Sequence, residues 1–514
     1  MRNFEYFTPT RVIFGKDTHL KIGTVLKEQN CSKVLIHYGS HSAVSSGLID
    51  EIRSSLDEAG ISYVTLGGVV PNPRLSKVRE GIELCRKEQV DFLLAVGGGS
   101  VIDSCKAIGY GLANPDTDVW NFFLRTETPK ACLPVGVILT IAASGSEMSG
   151  SCVITNEEGW LKRSSARNDL CRPRFAILNP RLTYTLPQYQ TESGCVDILM
   201  HTMERYFVNI ETMEITDSIS ESLMQTVIYN SRILMKETDN YTARAEIMWA
   251  GSLSHNGLTG CGTGGGDWAC HQLEHELGGT YDVAHGAGLA ALWGSWARYV
   301  YDANPERFAQ FAVNIFDIPC STDFNKTALA GIEAMEDYFR SIQMPTSLHE
   351  LGLDLTEKEI HDLAFKCSFE DTRTIGVFKQ LNMKDMEKQH INKFMEERIL
   401  RTRQNDRKNR THICFLGVLP CSKRQKLTLK LCNHTKVVKS AQKNDKMYFD
   451  IYRNNIKIAF GHIRKTCFHF QPIWKDATLT SSKPQYAELG ARIRCSDVPG
   501  KGHTAGPAPH HSMC

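Results

Sequence analysis

Between about residues 30 and 180, short apolar runs alternate with longer stretches of helical period. Lys33-Val34-Leu35-Ile36-His37-Tyr38-Gly39 precedes a helical pattern over 46–59, and Ser62-Tyr63-Val64-Thr65-Leu66 follows it. Strands separated by helix-length connections pair in parallel, so this part is predicted to be an α/β domain. Asp91-Phe92-Leu93-Leu94-Ala95-Val96 is apolar on both faces, as a central parallel strand must be, and it runs straight into glycines. From about 186 the pattern becomes helical with few strand candidates, over 188–208, 216–235 and 243–254 for example. Past about 400 the helical period stops, and only 412–421, 426–432 and 447–458 offer strand-like runs. The predicted organisation is a parallel-sheet domain over 1–185, an all-α domain over 186–395 and an irregular, poorly ordered extension over 396–514, with no internal repeat.

Charge sharpens that last boundary. Residues 401–514 hold 22 Lys and Arg against 6 Asp and Glu, which leaves 37 against 51 in the first 400, so a net charge of +2 hides an acidic body and a basic tail. The 42% hydrophobic content suits a soluble globular core, and no apolar run reaches the ~18 residues of a membrane span. The opening Met1-Arg2-Asn3-Phe4-Glu5-Tyr6-Phe7 lacks the apolar centre of a secretory signal, and a cytoplasmic protein is expected. The 17 cysteines are odd in number, scattered and without any Cys-x-x-Cys pair. That pattern favours reduced, buried thiols over a disulfide framework or a thiolate zinc site.

Gly97-Gly98-Gly99-Ser100 closes the buried run and opens the helical run Val101-Ile102-Asp103-Ser104-Cys105-Lys106-Ala107-Ile108. Glycine lets backbone approach a pyrophosphate, and the free N–H groups of a helix's first turn favour an anion. The spacing is a variant of the Rossmann-like dinucleotide turn, not the G-x-G-x-x-G fingerprint, and a tight structural turn is the alternative. A second turn, Thr140-Ile141-Ala142-Ala143-Ser144-Gly145-Ser146-Glu147, follows Pro134-Val135-Gly136-Val137-Ile138-Leu139. The first strand ends in Gly39-Ser40-His41-Ser42, with no carboxylate to hold a ribose 2′-hydroxyl. NADP(H) is therefore favoured over NAD(H).

Asp197 and His201 lie four apart in a helical stretch and leave one face a turn apart. His271, His275 and His285 follow in Asp267-Trp268-Ala269-Cys270-His271-Gln272-Leu273-Glu274-His275 and Ala284-His285-Gly286. A carboxylate with several imidazoles on rigid elements suits Fe(II), Zn(II) or Mn(II) with one position left open. Spacing does not decide which of the three later histidines bind, and any single one taken alone is more often a core or surface residue than a ligand.

These segments carry a resemblance. Pro9-Thr10-Arg11-Val12-Ile13-Phe14-Gly15-Lys16, Gly97 to Asp103, Ser144-Gly145-Ser146-Glu147-Met148, Gly194-Cys195-Val196-Asp197-Ile198-Leu199-Met200-His201-Thr202 and the stretch from Gly265 to His285 resemble the iron-containing alcohol dehydrogenases, in particular their butanol dehydrogenase-like branch. The likeness runs from about residue 1 to 390. It implies metal ligation by Asp197, His201, His271 and His285, with Fe(II) first and Zn or Mn as alternatives. It places His275 as a non-ligand facing substrate and nicotinamide, either as a proton relay or as a hydrogen-bonding anchor. It also implies cofactor contacts from Gly39, Ser40, Asn72, Gly97, Gly98, Gly99, Ser100, Asp103, Thr140 and Lys162. Ser144 stands where threonine is commoner and keeps the hydroxyl.

The resemblance implies a homodimeric, metal-dependent alcohol dehydrogenase or aldehyde reductase working on a small alcohol or aldehyde. A glycerol dehydrogenase or dehydroquinate synthase relative is the alternative of the same fold. The basic tail raises a different class, a nucleic-acid-binding protein, which the intact ligand set disfavours. Its 6 cysteines and 7 histidines fit no zinc spacing.

Overall fold

The computed structural model describes residues 1–391, apart from 167 and 210–212, and six strands between 428 and 490. Strands β1 (Arg11–Phe14), β2 (Lys33–Gly39), β3 (Ser62–Val69), β4 (Phe92–Gly97), β5 (Val135–Leu139), β6 (Val153–Asn156), β7 (Leu161–Ser164) and β8 (Phe175–Leu178) all precede residue 180. Six of them form one parallel sheet in the order β3-β2-β4-β5-β8-β1. Helices α1 (Ile22–Glu28), α2 (Ser42–Ser45), α3 (Leu48–Ala59), α4 (Leu75–Glu88), α5 (Gly99–Ala113) and α6 (Trp120–Leu124) connect them.

Both faces of the sheet are covered, which is why its central strands read as unbroken apolar runs. Leu35, Leu93, Ala95 and Val137 pack into one cluster with Val78, Ile82 and Ile108 of α4 and α5. The alternate residues Val34, Ile36, Phe92, Leu94 and Val96 pack on the other side with Ile22, Ile49 and Ile52 of α1 and α3. From β2 the chain moves outward to β3 and returns to β4 on the other side of β2. The crevice above the carboxyl ends of β2 and β4 is therefore the topological switch point, where open α/β sheets bind ligands. Gly39 ends β2 and Gly97 ends β4, so the two predicted cofactor turns rise on either side of it.

β6 and β7 form a separate antiparallel hairpin. Each is only four residues long, and VITN and LKRS carry too little alternation to be read as strands.

The rest of this unit is helical: α7 (Gln188–Tyr206), α8 (Glu214–Leu234), α9 (Tyr241–His255), α10 (Ala269–Tyr281), α11 (His285–Val300), α12 (Pro305–Phe316), α13 (Phe324–Ser341), α14 (Glu357–Cys367) and α15 (Met383–Ile391). α7 is buried along nearly its whole length, between the sheet and its helical neighbours. Close packing forces glycine on both sides of it. A Cβ at Gly194 would lie 2.3 Å from the carbonyl oxygen of Ala142, and one at Gly286 would lie 1.9 Å from that of Ser193.

Contacts divide the chain into Met1–Met395 and Glu396–Cys514. In the second unit, β9 (Thr428–Cys432) pairs with β14 (Tyr486–Gly490), and β10 (Thr435–Lys443), β11 (Lys446–Arg453), β12 (Ile456–Arg464) and β13 (Phe468–Pro472) form an antiparallel sheet. The extension expected to be irregular thus carries paired strands at its described positions, which take in 428–432 and, of the run 447–458, 447–453 and 456–458; the rest of these runs and 412–421 lie outside the described residues. The eleven cysteines of residues 1–391 are free. No helix among the described residues is long and apolar enough to cross a membrane.

Candidate metal and cofactor site

α7 presents Asp197, His201 and Glu204 from one face, by spacings of four and three. Against that face lies the start of α10, fixed by the Gly-Gly-Asp-Trp stretch. Gly264, Gly265 and Gly266 all take positive φ (76°, 114° and 93°), and the Asp267 N–H donates to the Glu204 carbonyl at 2.7 Å. The Asp267 carboxylate then accepts from the backbone N–H of Ala269, the first residue of α10, at 3.1 Å, and from those of Val377 and Phe378 at 2.6 and 2.7 Å. The motif is an anchor that holds the His271 helix on α7. α11 follows after a three-residue link and brings His285 as its first residue.

The ligand atoms of Asp197, His201 and His271 lie within 4.8 Å of one another. Asp197 Oδ1 is 3.4 Å from His201 Nδ1 and 3.7 Å from both His271 Nε2 and His285 Nε2. Asp197 Oδ1, His201 Nδ1 and His271 Nε2 are all buried without a hydrogen-bond partner. Three converging polar atoms left unsatisfied in a dry core are costly unless a cation sits among them. Burial pulls the His271 pKa down, but the carboxylates of Asp197 and Glu204 outweigh it and hold the ring up, to about 9. The cluster thus favours a positive charge at its centre, and its donors fit a divalent transition metal.

The cluster is closed on three sides and open on the fourth. The Asp197, His201 and His271 side chains are 5 to 6% exposed, whereas His285 is 27% exposed. His275 stands on that open side, its ring 6.0 Å from that of His285 and 36° from parallel to it. Burial first, then the charges of Lys162 and the neighbouring rings, keep the His275 pKa well below its ordinary value, so the imidazole is neutral.

Two carboxylates that sequence reasoning passed over orient the ligands. Glu204 Oε1 accepts from both the ring Nδ1 (3.0 Å) and the backbone N–H (3.0 Å) of His271. Glu274 Oε2 is hydrogen-bonded to His285 Nδ1. An imidazole whose Nδ1 proton is held by a carboxylate turns its Nε2 lone pair to the metal. The i+7 relation of Glu204 to Asp197 was a readable signal; Glu274 had none. His255 is a third neighbour, its ring 4.0 Å from that of His201 and its Nε2 3.4 Å from Ser151 Oγ.

In the cofactor crevice the glycines make room for the second turn. A Cβ at Gly98 would lie 2.1 Å from Ile141 Cγ2, and one at Gly99 2.3 Å from Ser144 Oγ. The N–H of Thr140 donates to Gly97 O at 3.1 Å. The N-terminus of α5 carries neither a capping side chain nor an acidic residue in its first turn, which leaves its N–H groups for an anion beside Ser100. Asp103 is differently employed: one oxygen accepts from Ser146 Oγ at 2.5 Å and the other from the Val153 N–H at 2.9 Å. Buried Lys106 donates to the carbonyls of Ser146, Ser149 and Ser151, so the pair braces the second turn. Gly39 ends the neighbouring strand and Ser40 follows it. Asn72 (φ 53°) and Lys162 reach towards the helical part: Asn72 donates to Asp282 at 2.9 Å, and Lys162 to Glu274 at 3.0 Å.

Residues 9–180 match the family model of iron-containing alcohol dehydrogenase, and 191–393 match the C-terminal model of the Fe-containing alcohol dehydrogenase family. The chain is 38% identical over 387 residues to NADH-dependent butanol dehydrogenase A of Clostridium acetobutylicum, covering 75% of this chain and 98% of that one. It is 35% identical over 361 residues to an NADPH-dependent aldehyde reductase of Escherichia coli, covering 69% and 90%. The crystal structure of NADH-dependent butanol dehydrogenase A from Thermotoga maritima superposes with a TM-score of 0.73 at 36% identity, over 76% of this chain and 98% of that one. The sheet with its switch-point crevice, the helical metal cluster and these likenesses agree, and the chain belongs to the iron-containing alcohol dehydrogenases, on their butanol dehydrogenase-like branch.

Proposed function

We propose that this chain is a metal-dependent alcohol dehydrogenase and aldehyde reductase using a nicotinamide cofactor, with iron held by Asp197, His201, His271 and His285. The observation that carries the reading is the set of buried, partnerless atoms converging from Asp197, His201 and His271. When bound, the metal supplies Lewis acidity to an alcohol or carbonyl oxygen, and the nicotinamide takes up or supplies hydride.

The chain's own contributions are positional and electrostatic. α7, α10 and α11 fix the donors on rigid helices, while Glu204 and Glu274 orient two imidazoles. Burial of three donors keeps water off the closed side and leaves the His285 side for substrate. His275, beside His285 on that side, is read as the group that relays the hydroxyl proton or anchors the substrate oxygen by a hydrogen bond. The N-terminus of α5, with Gly97, Gly98, Gly99 and Ser100, receives the cofactor phosphates, and Gly39, Ser40, Asn72, Asp103, Thr140 and Lys162 complete or brace the crevice.

The cofactor is NADP(H) in preference to NAD(H) in this reading. Its support is the end of β2, where Gly39-Ser40-His41-Ser42 offers hydroxyls and an imidazole and no carboxylate. Relatives of both preferences exist by name, so this is tested directly. With butyraldehyde and the iron-loaded protein, NADPH is expected to be oxidised at least as efficiently as NADH. A strong NADH preference overturns the cofactor assignment, and no oxidation of either overturns the activity. The free thiols support a reducing compartment, the cytoplasm. The exposed Phe4, Tyr6 and Phe7 leading into edge strand β1 support a homodimer.

A further inference from the structure

Lys162 is buried on β7, in the hairpin of the sheet lobe, yet its partners belong to the metal-binding helices. Its Nζ lies 3.0 Å from Glu274 Oε2 and 3.3 Å from His285 Nδ1, with side-chain exposures of 6% for Lys162 and 0% for Glu274. Oε2 is thus a shared acceptor, taking the Lys162 ammonium and the His285 Nδ1 proton together. Two glycines keep the space open. A Cβ at Gly278 would lie 2.7 Å from Glu274 Oε1 and 2.9 Å from Lys162 Nζ, and one at Gly288 would lie 2.9 Å from Glu274 Cγ. A flanking pair holds the hairpin to the same helix, Arg163 donating to Glu276 at 2.7 Å, and beside it Arg74, just before α4, donates to Asp282, just after α10, at 3.0 Å.

We propose that Lys162 and Glu274 act as one positioning pair that fixes the tautomer and direction of the His285 imidazole, so that a lysine of the sheet lobe contributes to metal affinity before any nucleotide is bound. The carboxylate holds the proton on Nδ1 and leaves the Nε2 lone pair facing Asp197. The ammonium is the opposite charge that partners this fully buried carboxylate, at 3.0 Å. This goes beyond a cofactor contact for Lys162, which would leave metal binding untouched. It rests on the reading of His285 as a ligand.

The test is metal affinity of the nucleotide-free protein, by competition with a chromophoric chelator for Fe(II) and Co(II). Glu274→Gln and Lys162→Met are each expected to weaken binding about 10- to 100-fold. The double variant is expected to be no more than about twofold weaker than the worse single one, because the pair acts as a unit. At saturating Co(II), the visible d–d absorption is expected to shift in both single variants, which a loss of stability alone does not produce. Wild-type affinity in either single variant, with His285→Ala losing metal, overturns this inference and leaves the ligand reading standing. Undiminished binding in His285→Ala overturns the ligand reading itself. If a single variant fails to fold by circular dichroism, the uncharged double variant decides, and wild-type affinity in it overturns the proposal.

Discussion

Replacing Gly286 with alanine is expected to disable the metal site without touching a ligand. Gly286 follows His285 at the start of α11, and a methyl group there would lie 1.9 Å from the carbonyl oxygen and 2.7 Å from the carbonyl carbon of Ser193 on α7. The obstacle is helix backbone, so no rotamer change relieves it. Reaching an ordinary contact of 3.4 Å requires α11 to withdraw from α7 by ~1.5 Å, within the range where overpacking costs ~1–3 kcal/mol. His285 moves with α11, while Asp197 stays on α7. A shift of that size, against a present Nε2 to Oδ1 separation of 3.7 Å, removes one ligand from reach. Metal affinity is expected to fall at least ~10-fold and turnover at limiting metal ~100-fold. Chelator competition measures the first and aldehyde-dependent NADPH oxidation the second. Ser193→Ala added to Gly286→Ala is expected to give no rescue, because the clash is with backbone. A folded Gly286→Ala protein with wild-type metal affinity would refute the argument that helix packing sets the ligand spacing.

Glu204→Gln keeps the shape of the group that holds His271 but removes its charge, and metal affinity is expected to drop ~10- to 100-fold. Unchanged affinity by chelator competition contradicts the orienting role. Glu192, on α7 away from the ligands, has both carboxylate oxygens buried without partners, and burial raises its pKa to about 8 despite Arg244. A folded-state pKa above the unfolded value of ~4.3 stabilises the fold fully at low pH and loses that contribution as pH rises towards 8. Glu192→Gln is therefore expected to flatten the pH dependence of the thermal midpoint between pH 5 and 9 and to be the more stable form at pH 8.5, by on the order of a few kcal/mol. A parallel pH dependence in the two proteins would contradict this.

The parts of the fold set by local pattern were legible in the sequence. β2, β4 and β5 are apolar on both faces because helices cover both, and α7, α8 and α9 carry a clear helical period. Asp197 and His201 were legible for the same reason, since a spacing of four on a helix dictates one face. What was not legible depends on tertiary contact. Nothing local separates His271 and His285 from His275; only the anchoring of α10 by Asp267 and the start of α11 against Ser193 decide which rings point at Asp197. The hairpin that carries Lys162 has strands too short to show a period, so its reach to Glu274 was invisible. Asp103 matched a cofactor position by motif, yet its oxygens are used on Ser146 and Val153, contacts 43 and 50 residues away.

The central claim is that His271 and its neighbours hold a catalytic metal. The most direct measurement is elemental analysis of the anaerobically purified full chain beside His271→Ala, with aldehyde-dependent NADPH oxidation read on the same samples. The wild type is expected to carry about one transition-metal ion per chain and to lose turnover when chelated, and the variant to lack both. A His271→Ala protein that keeps its metal and its turnover, or a chelated wild type with undiminished activity, would contradict the account.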